Sequence, residues 1–320
     1  KNYFWGLIMV SLLVWSLEIA FPWRKEQSIF RKDFWLDFFY MFFNFFLFSL
    51  LIYNASSDVV VTMFNNGIKG LTGFDLQASN PLQKWSHWGI LLVGMVVRDF
   101  IQWWIHRLLH RSPRLWEFHK VHHSVAEMGF AAQLRYHWME NVVYRSLEYI
   151  PLALMGVGLH DFFVIHIFAL AWGHYNHANL RVSGRVTGAI VMALLVLLIG
   201  SEELGHWPWY GLLGLTAAGA GLGAIALGPW MKYLFNSPEM HIWHHSYHLP
   251  EEHRTGVNFG LTLAIWDYVF KTNYIPHDGR DIKLGFPGVE DYPHHFVDQN
   301  LHGFGRIGGE TAESAEVRRE

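Results

Sequence analysis

Eight histidines in this chain fall at spacings that bring imidazole rings together. His106 and His110 are four residues apart, so on a helix they share one face. His119, His122 and His123 form an H-x-x-H-H pattern, and His241, His244 and His245 form a second. On a helix, each pattern puts three rings on one side. Neutral imidazole suits iron, zinc, copper and nickel, and eight rings exceed what one four- to six-coordinate ion can use. Two metals are therefore the economical reading. A lone histidine more often caps a helix, titrates on a surface or sits hydrogen-bonded in a core. With 21 His in 320 residues, however, chance supplies only roughly 0.1 H-x-x-H-H patterns per chain. Two in one chain point to metal.

Further candidates are single residues. His177, in His174-Tyr-Asn-His177, is expected as an additional ligand, with His174 the weaker member of that pair. His137, in His137-Trp-Met-Glu140, competes between a ligand and a helix-end role. A ligating histidine normally gives its second ring N–H to a carboxylate or carbonyl. Asp99 lies seven residues before His106 on the same helical face, in apolar sequence where an unpaired carboxylate is costly. It is thus a candidate to stand behind a ligand, with a salt bridge to Arg98 as the plain alternative. Glu140 and Asp267 are candidates of the same kind. His87, His160, His166, His206, His294, His295 and His302 read as span ends, loops or tail, and His248 and His253 flank the last cluster.

The elements that must carry these residues are apolar. Stretches near the roughly 20 residues needed to cross a bilayer run from Tyr3 to about Phe21, from Phe34 to Tyr53 and from Trp85 to Ile105. Val142–Trp172, broken near Pro151 and His160-Asp161, reads as a hairpin. A further pair, Gly188–Gly200 and Tyr210–Trp230, flanks the loop Ser201–Trp209. Basic residues Arg24, Lys25, Arg31 and Lys32, and later Arg107, Arg111, Arg114 and Lys120, lie in loops that share one face if each hairpin returns to its starting side. The histidine clusters lie on that face, which the positive-inside tendency makes cytoplasmic. The expected fold class is all-α: a polytopic integral membrane protein with a cytoplasmic, histidine-lined di-metal helical cap. One domain is expected over residues 1–305, with 306–320 as a disordered tail.

Composition agrees. Apolar residues make up 52% and charged residues 16%, against about 25% charged in ordinary soluble chains. The net charge of −3 suggests no nucleic-acid partner. No cysteine is present, which excludes disulfides, thiolate zinc sites, iron–sulfur clusters and a cysteine nucleophile. Lys1 rather than Met opens the chain, which leaves its natural start open. Gly219-Ala-Gly221-Leu-Gly223-Ala224 fits a loose dinucleotide pattern, but inside an apolar segment it reads as close helix packing. The aromatic run Phe38–Phe43 reads as lipid- or core-facing packing.

The ordered motifs resemble those of the fatty acid hydroxylase/sterol desaturase superfamily. Asp99, His106-Arg107-x-x-His110, His119-Lys-Val-His-His123, His137-x-x-Glu140, His177-Ala-Asn179 and Asn236-Ser-Pro-Glu-Met-His241-x-x-His-His245 carry the resemblance, with Asn258-Phe-Gly260 and Trp266-Asp267 closing it. It implies a helical membrane enzyme that uses a histidine-bound di-iron centre, O2 and external electrons to hydroxylate or desaturate a lipid. Zinc is an expected substitute for iron in purified material. The eight histidines carry over directly; His177 gains support, and His137 gains less because Trp138 stands where relatives often have Pro. The segment from Asn179 to His241 spans 63 residues counting both ends, longer than the resemblance implies, and Gly188–Trp230 accounts for the surplus as an extra apolar hairpin. The implied reaction is O2-dependent hydroxylation of a sterol, fatty acyl or ether-type lipid. A desaturase on the same site, a histidine-rich membrane metallohydrolase and a metal transporter are the competing readings. No redox module is evident, so a reductase, ferredoxin or cytochrome-type partner is expected to supply electrons.

Overall fold

The computed structural model describes residues 3–47, 58–79, 82, 84–203 and 208–306. The expected tail and parts of the second span and of the Ser201–Trp209 loop lie outside the described residues. Among the described residues the fold is helical, with no strand and three isolated β-bridges. Helix α1 is Tyr3–Ala20, α2 is Phe34–Leu47 and α3 is Asp58–Thr72. Helix α3 lies between the second and third apolar stretches, where the sequence marks no span. There Val61 turns inward while Val59, Met63 and Phe64 stay exposed, a pattern that hydropathy alone does not separate from a loop.

Helix α4, His87–Arg111, starts where the Ser86 hydroxyl accepts from the Gly89 N–H. It stops at Ser112 because Pro113 cannot donate to the helical ladder and its ring crowds the preceding turn. Pro113 is instead the first residue of α5, Pro113–His123. This sharp corner brings the second histidine cluster back across the end of α4.

Helices α6, Trp138–Met155, and α7, Leu159–His177, form the expected hairpin, but its turn is displaced. Pro151 lies inside α6. The helix ends at Gly156, whose φ of +98° closes it through N–H bonds from Gly156 to Ala153 O and from Val157 to Leu152 O. Tyr149, Leu152, Phe162 and Ile165 then pack between the two helices.

Helix α8, Gly184–Glu203, and α9, Trp209–Leu234, form a second hairpin that packs largely on itself. At Gly188 a Cβ would lie 2.5 Å from Gly223 O, so the two backbones approach as only glycine permits. The Gly219–Ala224 pattern is thus helix packing. Helices α4 and α9, of 25 and 26 residues, are long and apolar enough to cross a membrane; α1, α2 and α8 carry shorter apolar stretches.

Three short helices complete the chain: α10, Pro238–His244; α11, Ile265–Val269; and α12, Phe296–Arg306. Helix α12 falls in a stretch that reads as irregular in the sequence. It docks on α2, with Phe296 against Phe39, Tyr40 and Phe43, and Asn300 donating to the Tyr40 hydroxyl at 2.9 Å.

Candidate metal centre

Nine histidines meet in two adjoining groups. His106, His110, His119, His123 and His244 form one; His122, His177, His241 and His245 form the other. Within each group the potential ligand atoms lie within 4.8 Å of one another, and every ring but the half-buried His110 is buried. The groups share a wall, since the His123 and His245 rings are 4.4 Å apart. The end of α4 supplies His106 and His110, α5 the second cluster, the end of α7 His177, and α10 with its cap the last cluster.

The hydrogen bonds fix which nitrogen faces inward. Carbonyl oxygens only accept, so an Nδ1 facing one must carry the ring proton. His122 Nδ1 donates to Arg135 O at 3.0 Å and His177 Nδ1 to Gly173 O at 2.8 Å. His106 Nδ1 donates to Phe259 O and His244 Nδ1 to Val257 O, each at 2.7 Å. His119 Nδ1 meets the Glu140 carboxyl at 2.9 Å. In these five rings Nε2 is left bare, and the Nε2 atoms of both groups turn together. His122 Nε2 lies 3.2 Å from His177 Nε2, and His241 Nε2 lies 3.0 Å from His177 Nε2 and 3.3 Å from His245 Nε2. In the other group His123 Nε2 lies 3.1 Å from His244 Nε2, while Nε2 of His106, His110 and His119 are buried with no hydrogen-bond partner.

Protonation does not relieve this convergence. Burial, followed by neighbouring imidazoles, holds His119, His123, His241, His244 and His245 well below the ordinary histidine value, and His122 falls to about 3. Two facing lone pairs about 3 Å apart repel, and a cation between them removes the repulsion. The donor set therefore fits two imidazole-bound transition-metal ions.

The outer supports are largely backbone. Asn258, at φ +52°, sits between Val257 and Phe259, whose carbonyls receive His244 and His106. Its amide bonds to Met240 O and Tyr274 O, both at 2.8 Å. Asp99 corrects the expectation of a carboxylate directly behind a ring. It accepts from the backbone N–H groups of Thr262 and Leu263 and from Trp266 Nε1, so it supports the loop rather than a histidine. Arg98 makes its direct ion pair with Glu148, although its charge is near enough to act on Asp99. Asp267 likewise holds the N–H groups of Phe259 and Gly260.

Glu140 does stand behind His119, and burial pushes its carboxyl up to about 8. His137 lies apart from both groups. Its Nδ1 accepts from Met139 N–H to cap α6, and its Nε2 bonds to Asn300 O. The residue before an apolar helix with a polar side chain was the available signal for that capping role. His174 is also apart, on Phe130 O and Ser11 Oγ.

One support has no trace in the histidine pattern. Buried Asp37 lies between the guanidinium groups of Arg31 and Arg135, and Arg135 also donates to Ser124 Oγ at 2.9 Å. This pairing fixes the segment whose Arg135 carbonyl receives His122.

A profile of the fatty acid hydroxylase family matches residues 91–189 and 182–272, the region that carries every ligand candidate in the two groups. The chain belongs to the fatty acid hydroxylase family. It is 25% identical over 198 residues to the ornithine lipid hydroxylase OlsE of Rhizobium tropici, a match that covers 62% of this chain and 46% of that protein. It is 44% identical over 54 residues to the very-long-chain aldehyde decarbonylase GL1-10 of Oryza sativa subsp. japonica, covering 17% of this chain and 18% of that one. The chain thus matches less than half the length of either relative. No solved structure matches.

Proposed function

We propose that this fatty acid hydroxylase family member is a membrane-embedded, O2-dependent di-iron lipid hydroxylase. The observation that carries the reading is the pair of all-imidazole groups with converging ring nitrogens, in a chain of this family. His106, His110, His119, His123 and His244 would hold one iron, and His122, His177, His241 and His245 the other. Iron bound there supplies O2 activation and the removal of a hydrogen atom from an unactivated C–H bond. The protein's part is geometric: carbonyls and Glu140 fix ring tautomers, and burial excludes water. The reaction balances as R–H, O2, two electrons and two protons giving R–OH and water. The electrons come from an external carrier of reductase, ferredoxin or cytochrome type.

Membrane embedding is supported by α4 and α9 and by large exposed apolar side chains. Trp5, Met9 and Leu12 lie on α1, Phe38, Phe42 and Phe46 on α2, and Leu194, Leu213 and Ile225 on the second hairpin. Apolar surface on this scale is rare on a soluble monomer. Basic-loop asymmetry supports a cytoplasmic site. A metallohydrolase would ordinarily use carboxylate ligands, and neither group contains one. A transporter would place ligands midway along its spans, whereas these rings gather at helix ends.

Lipidomics of cells with and without the gene, under 18O2, tests the reading. A lipid gaining one labelled oxygen supports hydroxylation. A lipid losing two hydrogens with no label would assign desaturation instead.

A further inference from the structure

The cavity beside the two histidine groups carries several polar side chains besides the candidate ligands, set among apolar surface. His106, His119, His122, His177 and His241 form one side of it. The remaining wall is built from Gln102, Gln133, Tyr136, Glu140, Asn141 and Tyr144, with Leu261 as its apolar member. We propose that this pocket takes the polar end of a lipid, so that the C–H attacked lies in the head group or within a few bonds of it. The inference rests on the lipid hydroxylase reading and adds the region of the substrate that reacts.

Two side chains carry the argument. Asn141 is 2% exposed, and its Nδ2 donates to Asn44 O at 3.0 Å. Its Oδ1 is buried with no hydrogen-bond partner, and the residue lines the cavity. A buried acceptor of this kind is costly unless a donor arrives, and a bound N–H or O–H would be that donor. Gln102 supplies the complementary group. Its Oε1 accepts from Arg98 Nη1 at 2.9 Å, which leaves its N–H pair as the part that can serve the cavity. Arg98 is itself held by Glu148 at 3.2 Å, with exposures of 2% and 0%.

A charged pair buried this deeply among apolar helices is expensive, and fixing the Gln102 amide gives it a use. Gln102 lies about one helical turn before His106, and Asn141 directly follows Glu140, so both sit close to the ligands. A bare methylene chain threaded here would leave these amides without partners. A head group carrying amide, hydroxyl or ester functions satisfies them, and its alkyl chains extend toward the exposed apolar faces of the helices.

Tandem mass spectrometry of intact lipids from expressing cells grown under 18O2 locates the oxygen. Label in the head-group fragment, or on the first carbons beside it, is expected. Label on mid-chain or terminal methylenes overturns this inference and leaves the hydroxylase reading intact, while no labelled lipid in iron-replete cells overturns both. A binding measurement on purified metal-loaded protein gives a readout independent of turnover. Thermal shift should show retention of N-dodecanoylglycine over dodecane. Gln102→Leu and Asn141→Leu should each cut affinity for N-dodecanoylglycine about tenfold with metal content unchanged. Equal binding of the two probes by the parent protein, or undiminished preference in both variants at full metal content, contradicts the proposal.

Discussion

At the scale of single residues, the account turns on where each ring proton sits. Glu140 holds His119 in the orientation that turns Nε2 inward. Glu140→Gln keeps an acceptor for the Nδ1 proton, whereas Glu140→Leu removes it. The leucine variant should lose about 10–100-fold in metal affinity and the glutamine variant much less, read by competition with a chelator. Equal loss in both would deny the hydrogen bond its role. The pH response of metal-free protein follows from His122, which sits near 3 when folded against 6.5 as its ordinary value. Between those values the unfolded chain binds more protons, so stability is fully present above about 6.5 and falls as pH drops toward 3. The melting temperature of chelator-treated protein should decline steadily below pH 6.5; a flat profile from 7 to 4.5 contradicts the burial argument. The eight clustered histidines were legible because helical periodicity puts the rings of each motif on one face. The carbonyls of Arg135, Val257 and Phe259 were not, because backbone acceptors have no residue-type signature.

At the scale of elements, the loop from Gly256 to Leu263 does more than any single ligand to place the first group. Asn258 takes a left-handed conformation that costs an alanine about 1–2 kcal/mol, and its amide makes bonds worth about 1 kcal/mol each. Asn258→Ala should therefore destabilise the protein by about 2–4 kcal/mol and lower the metal content at His106 and His244. Denaturant unfolding and elemental analysis check this, and an unchanged midpoint with full metal would refute it. The motif Asn258-Phe-Gly260 was visible in sequence, but its purpose was not, since the Asn258 side chain bonds to distant carbonyls and the histidines meet the backbone beside it. The same holds for Asp99, whose helical phase pointed toward His106 while its carboxylate reaches the loop instead. The α8–α9 hairpin is the converse case. Its backbones also touch at the base, where a Cβ on Gly184 would lie 2.4 Å from Gly228 O. Excising residues 185–228 should thus leave metal content intact and change which lipids react; parallel loss of metal would make the hairpin part of the scaffold.

At the scale of the whole molecule, apolar helices present a buried cluster of imidazoles at their ends, and the chain surrounds that cluster with buried charge. Asp37 between Arg31 and Arg135 ties α2 to the segment behind His122, and α12 locks onto α2 through Tyr40 and Asn300. Hydropathy and histidine spacing gave the helical architecture and the ligand clusters. Helices α3 and α12 depended on packing partners distant in sequence, which local patterns do not encode. The central claim is that both histidine groups are metal sites, and metal analysis of gently purified protein tests it most directly. Two transition-metal ions per chain are expected, as iron or with zinc in its place, falling in His122→Ala. A parent protein that retains no metal would contradict the account.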